Sequence, residues 1–287
     1  MKRNVAAPRG SQFKAPEAPK SEIRAFSSAI EYMVNQMATR FRNQVLGQLN
    51  QSTISKFTDA QIGNFASIYI ELADRTTRKL LKQFSNDRLK KITKATTSKI
   101  DKRNKSIFYS RLEKAGIGIS RDELEATEGL TSQINAYSLE TYQWLRKMRD
   151  ETMQGWISNT LRLMSEGQSL EQIMQEFDGM VEKRRGHAKM VARTQVATFN
   201  SLTTKARAQN LGITEARWIT AGDERVRGNP SGKYPKAKPS HFWANGKTFN
   251  LSEGLKFPNG DVLLPGTTPN CRCDYEMVIP GMDENAE

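Results

Sequence analysis

The sequence predicts an α+β protein, mostly helical through its N-terminal two-thirds and ending in a small β-containing module. Three observations lead there. Apolar residues recur at three- and four-residue steps between Ser21 and about Leu211. From Ala216 the period falls to two, with Ala216, Trp218 and Thr220 alternating against Arg217 and Ile219. Further on, Asn245-Gly246 and Asn259-Gly260 are turn dipeptides of the kind that join short strands.

Residues 1–20 hold Pro8, Pro16 and Pro19, with Lys2, Arg3, Arg9, Lys14 and Lys20 against Glu17 alone, and are predicted to be a disordered basic arm. Ser21 can cap a helix whose stripe is Phe26, Ile30, Met33, Met37, Phe41 and Leu49. A second helix follows Thr58 or Asp59, with Ile62, Phe65, Tyr69, Leu72, Leu80 and Phe84 on one face. Residues 21–115 are therefore read as a helical, basic region suited to docking and to facing nucleic acid. Ala115-Gly116-Ile117-Gly118-Ile119-Ser120 breaks the pattern and marks the main boundary.

The second region is read as residues 120–280, with helices in 131–211 and short strands in 214–280. A long helix carries Ile134, Tyr137, Leu145, Met148, Trp156 and Met164 and ends at Gly167. Ser169-Leu170-Glu171-Gln172 reads as a capping box opening a short helix with Ile173 and Phe177. A further helix is expected from about Lys183 to Asn210, with Gly212 as its C-terminal signal. His187, at the basic start of that helix, is expected to be exposed or capping. Residues 228–240, rich in Pro, Gly and Lys, read as a mobile basic loop. The final strand sets Cys273, Tyr275, Met277 and Ile279 on one face and Arg272, Asp274 and Glu276 on the other. Arg272 is thus expected to point away from the cysteines, towards Asp223 or Glu224. Residues 281–287 form a loose acidic tail.

Composition sets outer limits. There is no run of about 18 apolar residues, so a membrane span is not expected. The basic N-terminus lacks an apolar segment behind it, which argues against a secretory signal. Cys271 and Cys273 are the two cysteines; a disulfide between them would close a small, strained ring, so a reducing compartment is the simpler inference. The formal charge of +13 points to phosphate or another acidic partner.

That charge is concentrated. Residues 88–114 hold ten Lys and Arg against Asp101 and Glu113. Arg88, Lys90, Lys91, Lys94, Lys99, Lys102, Arg103 and Lys105 are the candidate phosphate contacts. Nothing in the run would read bases, so the contact implied is nonspecific binding to double-stranded DNA. A solvated helix face is the competing reading.

Several motifs occur in a telling order. Ala192-Arg193-Thr194-Gln195 lies on a helix. Asp223-x-Arg225-x-Arg227 follows Trp218, His241 precedes Gly246-Lys247-Thr248-Phe249, and Pro269-Asn270-Cys271-Arg272-Cys273 closes the series. In this order they resemble the Mu F-like minor head protein, or phage head morphogenesis, family of tailed bacteriophages, over roughly residues 167–279. The helix motif carries Gln195 where relatives usually carry Glu, and the basic loop lengthens the interval from Arg227 to His241. The resemblance implies a low-copy virion protein at the portal vertex or capsid interior, made in the host cytoplasm. It implies a role in head assembly, DNA packaging or DNA delivery, with portal or major capsid protein as partner. It implies no catalysis.

Chemistry adds a candidate centre. Asp223, His241, Cys271 and Cys273 could bind one structural zinc ion, because thiolate and imidazole are zinc ligands and an aspartate oxygen can complete a tetrahedron. Residues i and i+2 of a strand face the same way, so the two sulfurs can be adjacent. The alternative is two reduced thiols with His241 as a hydrogen-bonding loop residue. A metal-dependent enzyme acting on nucleic acid is the less supported functional alternative: there is no HExxH, no carboxylate cluster and few histidines.

Overall fold

A computed structural model describes residues 12–49, 59–116 and 129–279. Expectations for residues 1–11, most of the 115–120 break and the 281–287 tail lie outside the described residues. The chain forms two compact units: Arg24–Lys94 with Glu140–Ala192, and Met1–Ile23 with Ala95–Leu139 and Arg193–Glu287.

The helical elements are α1 (Lys20–Phe41), which runs on through a π-helical turn (Arg42–Leu46) into α2 (Gly47–Leu49), then α3 (Asp59–Gln83), α4 (Asn86–Lys114), α5 (Thr131–Ser165) and α6 (Leu170–Asn210). In the first unit, the α1 stripe is buried as its periodicity predicts: Phe26, Ile30, Met33, Met37 and Phe41. Phe41 stacks on Phe177 at 5.2 Å between ring centroids, and Trp156 meets Phe177 edge-on at 5.1 Å. The Tyr69 hydroxyl donates to the Ile157 carbonyl at 2.9 Å. Buried Arg149 donates to the Phe84 carbonyl at 2.7 Å and to Asn86 Oδ1 at 3.1 Å.

The capping box forms as predicted: Gln172 Oε1 accepts from the Ser169 amide at 2.8 Å, and Ser169 Oγ accepts from the Gln172 amide at 3.3 Å. The helix it opens does not stop. Residues 170–210 are one continuous helix, not two. A glycine inside a helix costs about 1 kcal/mol but does not break it, and the stripe Ile173, Phe177, Val181, Ala188 and Val191 stays buried across Gly179 and Gly186. His187 therefore sits mid-helix and half-buried, in neither a capping nor an exposed position. It lines a small hollow of about 290 Å³ with Trp156, Met180 and Arg184. Burial, then the Arg184 charge, lowers its pKa.

The second unit holds an antiparallel sheet in the order β1-β6-β2-β3, built from β1 (Gln12–Lys14), β2 (Glu215–Ile219), β3 (Thr248–Asn250) and β6 (Asp274–Val278). A separate hairpin pairs β4 (Leu255–Lys256) with β5 (Val262–Leu263) around Asn259-Gly260. Period two is obeyed: Ala216, Trp218, Tyr275 and Met277 are buried. Residues 12–14, expected within a disordered arm, form β1 instead, pairing Phe13 with Met277. Phe13 is buried edge-on against Phe108 at 5.3 Å. The edge of β6 and the pocket beside Phe108 supply what local composition does not.

A buried polar network ties α6 to α4, and one further bond ties α6 to the sheet. Asn104 Nδ2 donates to Asn200 Oδ1 at 2.9 Å and to Thr204 Oγ1 at 2.7 Å. Arg207 donates to Asn104 Oδ1 and to Asp101 Oδ1, each at 2.5 Å. The Tyr275 hydroxyl donates to the Ser201 carbonyl at 2.6 Å. No helix among the described residues is long and apolar enough to cross a membrane.

Candidate metal centre

The centre is assembled from two short pieces. His241 opens α7 (His241–Ala244), whose N-cap is Ser240, its Oγ accepting from the Trp243 amide at 3.1 Å. That cap sits where Gly228 passes. A Cβ on Gly228 would come 2.0 Å from Ser240 Oγ, and its φ of +74 suits glycine. Loop 228–240, expected to be mobile, is folded on itself. The Gly228 amide donates to the Tyr234 carbonyl at 2.9 Å, and the Phe242 amide donates to the Arg227 carbonyl at 3.0 Å. The cysteines come from the turn that enters β6. The Cys271 amide donates to the Thr268 carbonyl at 3.0 Å, and Asn270 takes the left-handed conformation at φ 56, which asparagine tolerates better than most residues.

His241, Cys271 and Cys273 are buried, at 3%, 6% and 6% exposure, and both thiols are free. Their ligand atoms all lie within 4.8 Å of one another. His241 Nδ1 is 3.6 Å from Cys271 Sγ and 3.4 Å from Cys273 Sγ. A tetrahedral zinc ion with ordinary Zn–S and Zn–N bonds separates sulfur from nitrogen by about 3.6 Å, so the spacing fits the group. The imidazole is held edge-on to Trp218 at 5.4 Å and tilted to Phe257 at 6.1 Å, and its Nε2 has no hydrogen-bond partner among the described residues. One proton on Nδ1 can serve only one sulfur at a time; a cation there would satisfy all three donors.

Cys271 Sγ also accepts the Gly266 and Cys273 amides, each at 3.4 Å. The thiol of Cys271 is held well below its ordinary range, first by the hydrogen bond from Cys273, against burial, and then by His241. Cys273 is pushed up, first by its partnership with Cys271 and then by burial. Two acid groups this close do not both ionise unless a cation joins them.

Asp223 is not brought into this group. Its two carboxylate oxygens take the two Nη atoms of Arg272 at 2.6 Å each, and the Arg225 amide donates to it at 3.0 Å. Arg272 thus points away from the cysteines, as strand alternation predicts. The Arg272 hydrogen bonds hold the Asp223 carboxyl down at about 2.

The other sequence motifs meet at the same turn. Arg193 donates to Asn270 Oδ1 at 3.2 Å, and Thr194 Oγ1 accepts the Asn270 amide at 3.1 Å. Arg227 donates to the Pro269 carbonyl at 2.6 Å. Residues 157–276 match the family model for Phage Mu protein F like protein. This supports the Mu F-like phage head family that the motif order suggested, a family of structural head proteins that points to head morphogenesis. No curated protein and no solved structure matches the chain. The Mu F-like segment contains every residue of the His/Cys/Cys group and both partners of the Asp223–Arg272 pair.

Of the basic candidates outside the Mu F-like segment, Arg88, Lys90, Lys91, Lys94, Lys99, Lys102 and Arg103 are exposed on α4, and Lys105 is half-buried. Arg88 is partly occupied, donating to the Gln83 carbonyl at 3.0 Å and lying over the Phe84 ring. Lys90 lies over Tyr142 and 4.0 Å from Asp87. Sequence reasoning did not find Gly228, Ser240 or Trp218 as supports of the centre. A serine directly before His241 was the one local signal.

Proposed function

We propose that this protein is a low-copy minor head component of a tailed phage, acting in head assembly, DNA packaging or DNA delivery at the portal vertex or capsid interior. The match of residues 157–276 to the Mu F-like family carries this reading. Portal or major capsid protein is the partner, docked by the N-terminal helices. The exposed basic side chains of α4, Lys91, Lys94, Lys99, Lys102 and Arg103, contact packaged double-stranded DNA through its phosphates. One zinc ion bound by His241, Cys271 and Cys273 clips α7 to the entry of β6 and has a structural role.

Mass spectrometry of purified particles tests the main reading. Copies of this chain are expected in the virion, fewer than those of major capsid protein, and portal protein is expected to copurify with it. Absence from particles would end the reading. Portal association that survives removal of residues 21–84 would end its docking part. Changing Lys91, Lys94, Lys99 and Lys102 together to Glu should abolish the salt-dependent part of duplex binding. Unchanged binding would make α4 a solvated face.

A further inference from the structure

The C-terminal module carries a second surface that α4 does not share. Three large aromatic side chains are exposed within ten residues of one another: Tyr234 at 54%, Phe242 at 48% and Trp243 at 38%. Clustered exposed aromatics mark contact surfaces where singly scattered ones do not. Lys247 Nζ lies 4.4 Å from the Trp243 ring centroid. Lys236 and Lys238 are exposed and have no carboxylate partner among the described residues. Of the nearby acidic groups, Glu224 is taken by Lys233 at 2.9 Å and Asp223 by Arg272.

The surface is also preorganised. The Phe242 amide is anchored on the Arg227 carbonyl, the Tyr234 carbonyl accepts the Gly228 amide, and Trp243 packs on Phe257 at 5.5 Å. Exposed aromatic rings on an anchored backbone, in a segment that also exposes lysines, suit a polyanion that offers flat rings. A duplex presents phosphate but hides its base faces in the stack, whereas an unpaired strand offers both.

We propose that Tyr234 and Phe242, with Lys236, Lys238 and Lys247, form a binding surface for single-stranded nucleic acid, the bases stacking on the two rings and the phosphates meeting the lysines. It is independent of the duplex contact assigned to α4.

Fluorescence anisotropy of the full chain tests it, with a labelled single-stranded oligonucleotide, a duplex of equal length and an abasic strand of equal length. The base-bearing strand should bind more tightly than the abasic one. Phe242→Ala and Tyr234→Ala, both at exposed positions, should each weaken it by about tenfold, leaving duplex binding unchanged. Lys236→Ala with Lys238→Ala should flatten the slope of log K against log salt by about 1.4 for single strands. Charge reversal on α4 should leave the difference in affinity between the base-bearing and the abasic strand intact, which separates this proposal from the duplex reading. Equal affinity for abasic and base-bearing strands would overturn it, as would aromatic variants that bind as well as the parent. Absence of single-strand binding would also overturn it and leave the surface to a protein partner.

Discussion

Arg272 closes both Nη atoms on the two carboxylate oxygens of Asp223, each at 2.6 Å. The pair crosses from the 223–227 turn to the cysteine turn, and Asp223 is not among the donors that lie within 4.8 Å of one another.

The first prediction separates these roles. Asp223→Asn should keep its zinc content, because the three buried donors are untouched. Its acid stability should change. The folded-state pKa of Asp223 is depressed to about 2 from 3.8, so its stabilisation is present above about pH 4 and is lost as pH falls towards 2. Circular dichroism melts of both proteins should therefore differ above about pH 4 and converge near pH 2. Metal release in acid affects both proteins alike. Loss of zinc from Asp223→Asn would return Asp223 to the ligand set.

Cys271→Ser and Cys273→Ser should each abolish near-stoichiometric zinc and lower the melting temperature. A chelator should lower the parent protein to a similar temperature and leave the variants unmoved, since a bound metal contributes its binding energy to the folded state. Cobalt substitution should give thiolate-to-metal absorption in the parent alone. Chelation without effect on the parent would show that the thiols stand free of metal.

Gly228→Ala should unseat the centre from a distance. Its Cβ would lie 2.9 Å from Ser240 Cα as well as 2.0 Å from Ser240 Oγ, so the backbone capping α7 must shift. A loss of about 1–3 kcal/mol and weaker metal retention are expected. Gly222→Ala is the control. It has φ +71 but nothing within 4 Å of the added Cβ, so only the left-handed conformation is penalised, by about 1–2 kcal/mol. Urea titrations with zinc analysis compare the two. Equal metal retention in both would mean that the Gly228 approach does not position His241.

Much of this was legible because it is local. Periodicity placed α1, β2 and the strand following Cys273, and Ser169 with Gln172 announced the start of α6. Spacing alone put Cys271 and Cys273 on one side and Arg272 on the other. What sequence missed depends on distant partners. Phe13 becomes a strand residue only because β6 has an edge beside Phe108. Residues 170–210 stay helical through two glycines because the buried stripe continues. Asp223 sits in the same chemical vocabulary as His241, Cys271 and Cys273, and only the geometry of Arg272 shows that both its oxygens are already hydrogen-bonded.

The final prediction concerns the polar network between α4 and α6. Arg207 is fully buried, and its guanidinium joins Asp101, 23% exposed, to Asn104. Removing one partner of a buried pair leaves a desolvated charge or an unmet acceptor, whereas removing both can be nearly neutral. Arg207→Met and Asp101→Asn should therefore each cost about 3 kcal/mol in urea unfolding. The double variant should cost clearly less than the two added together, with a coupling of about 1 kcal/mol or more. Strict additivity would mean that the charges do not sense each other. In that case α6 would be tied to α4 without help from the charge pair, through the Asn104 hydrogen bonds to Asn200 and Thr204.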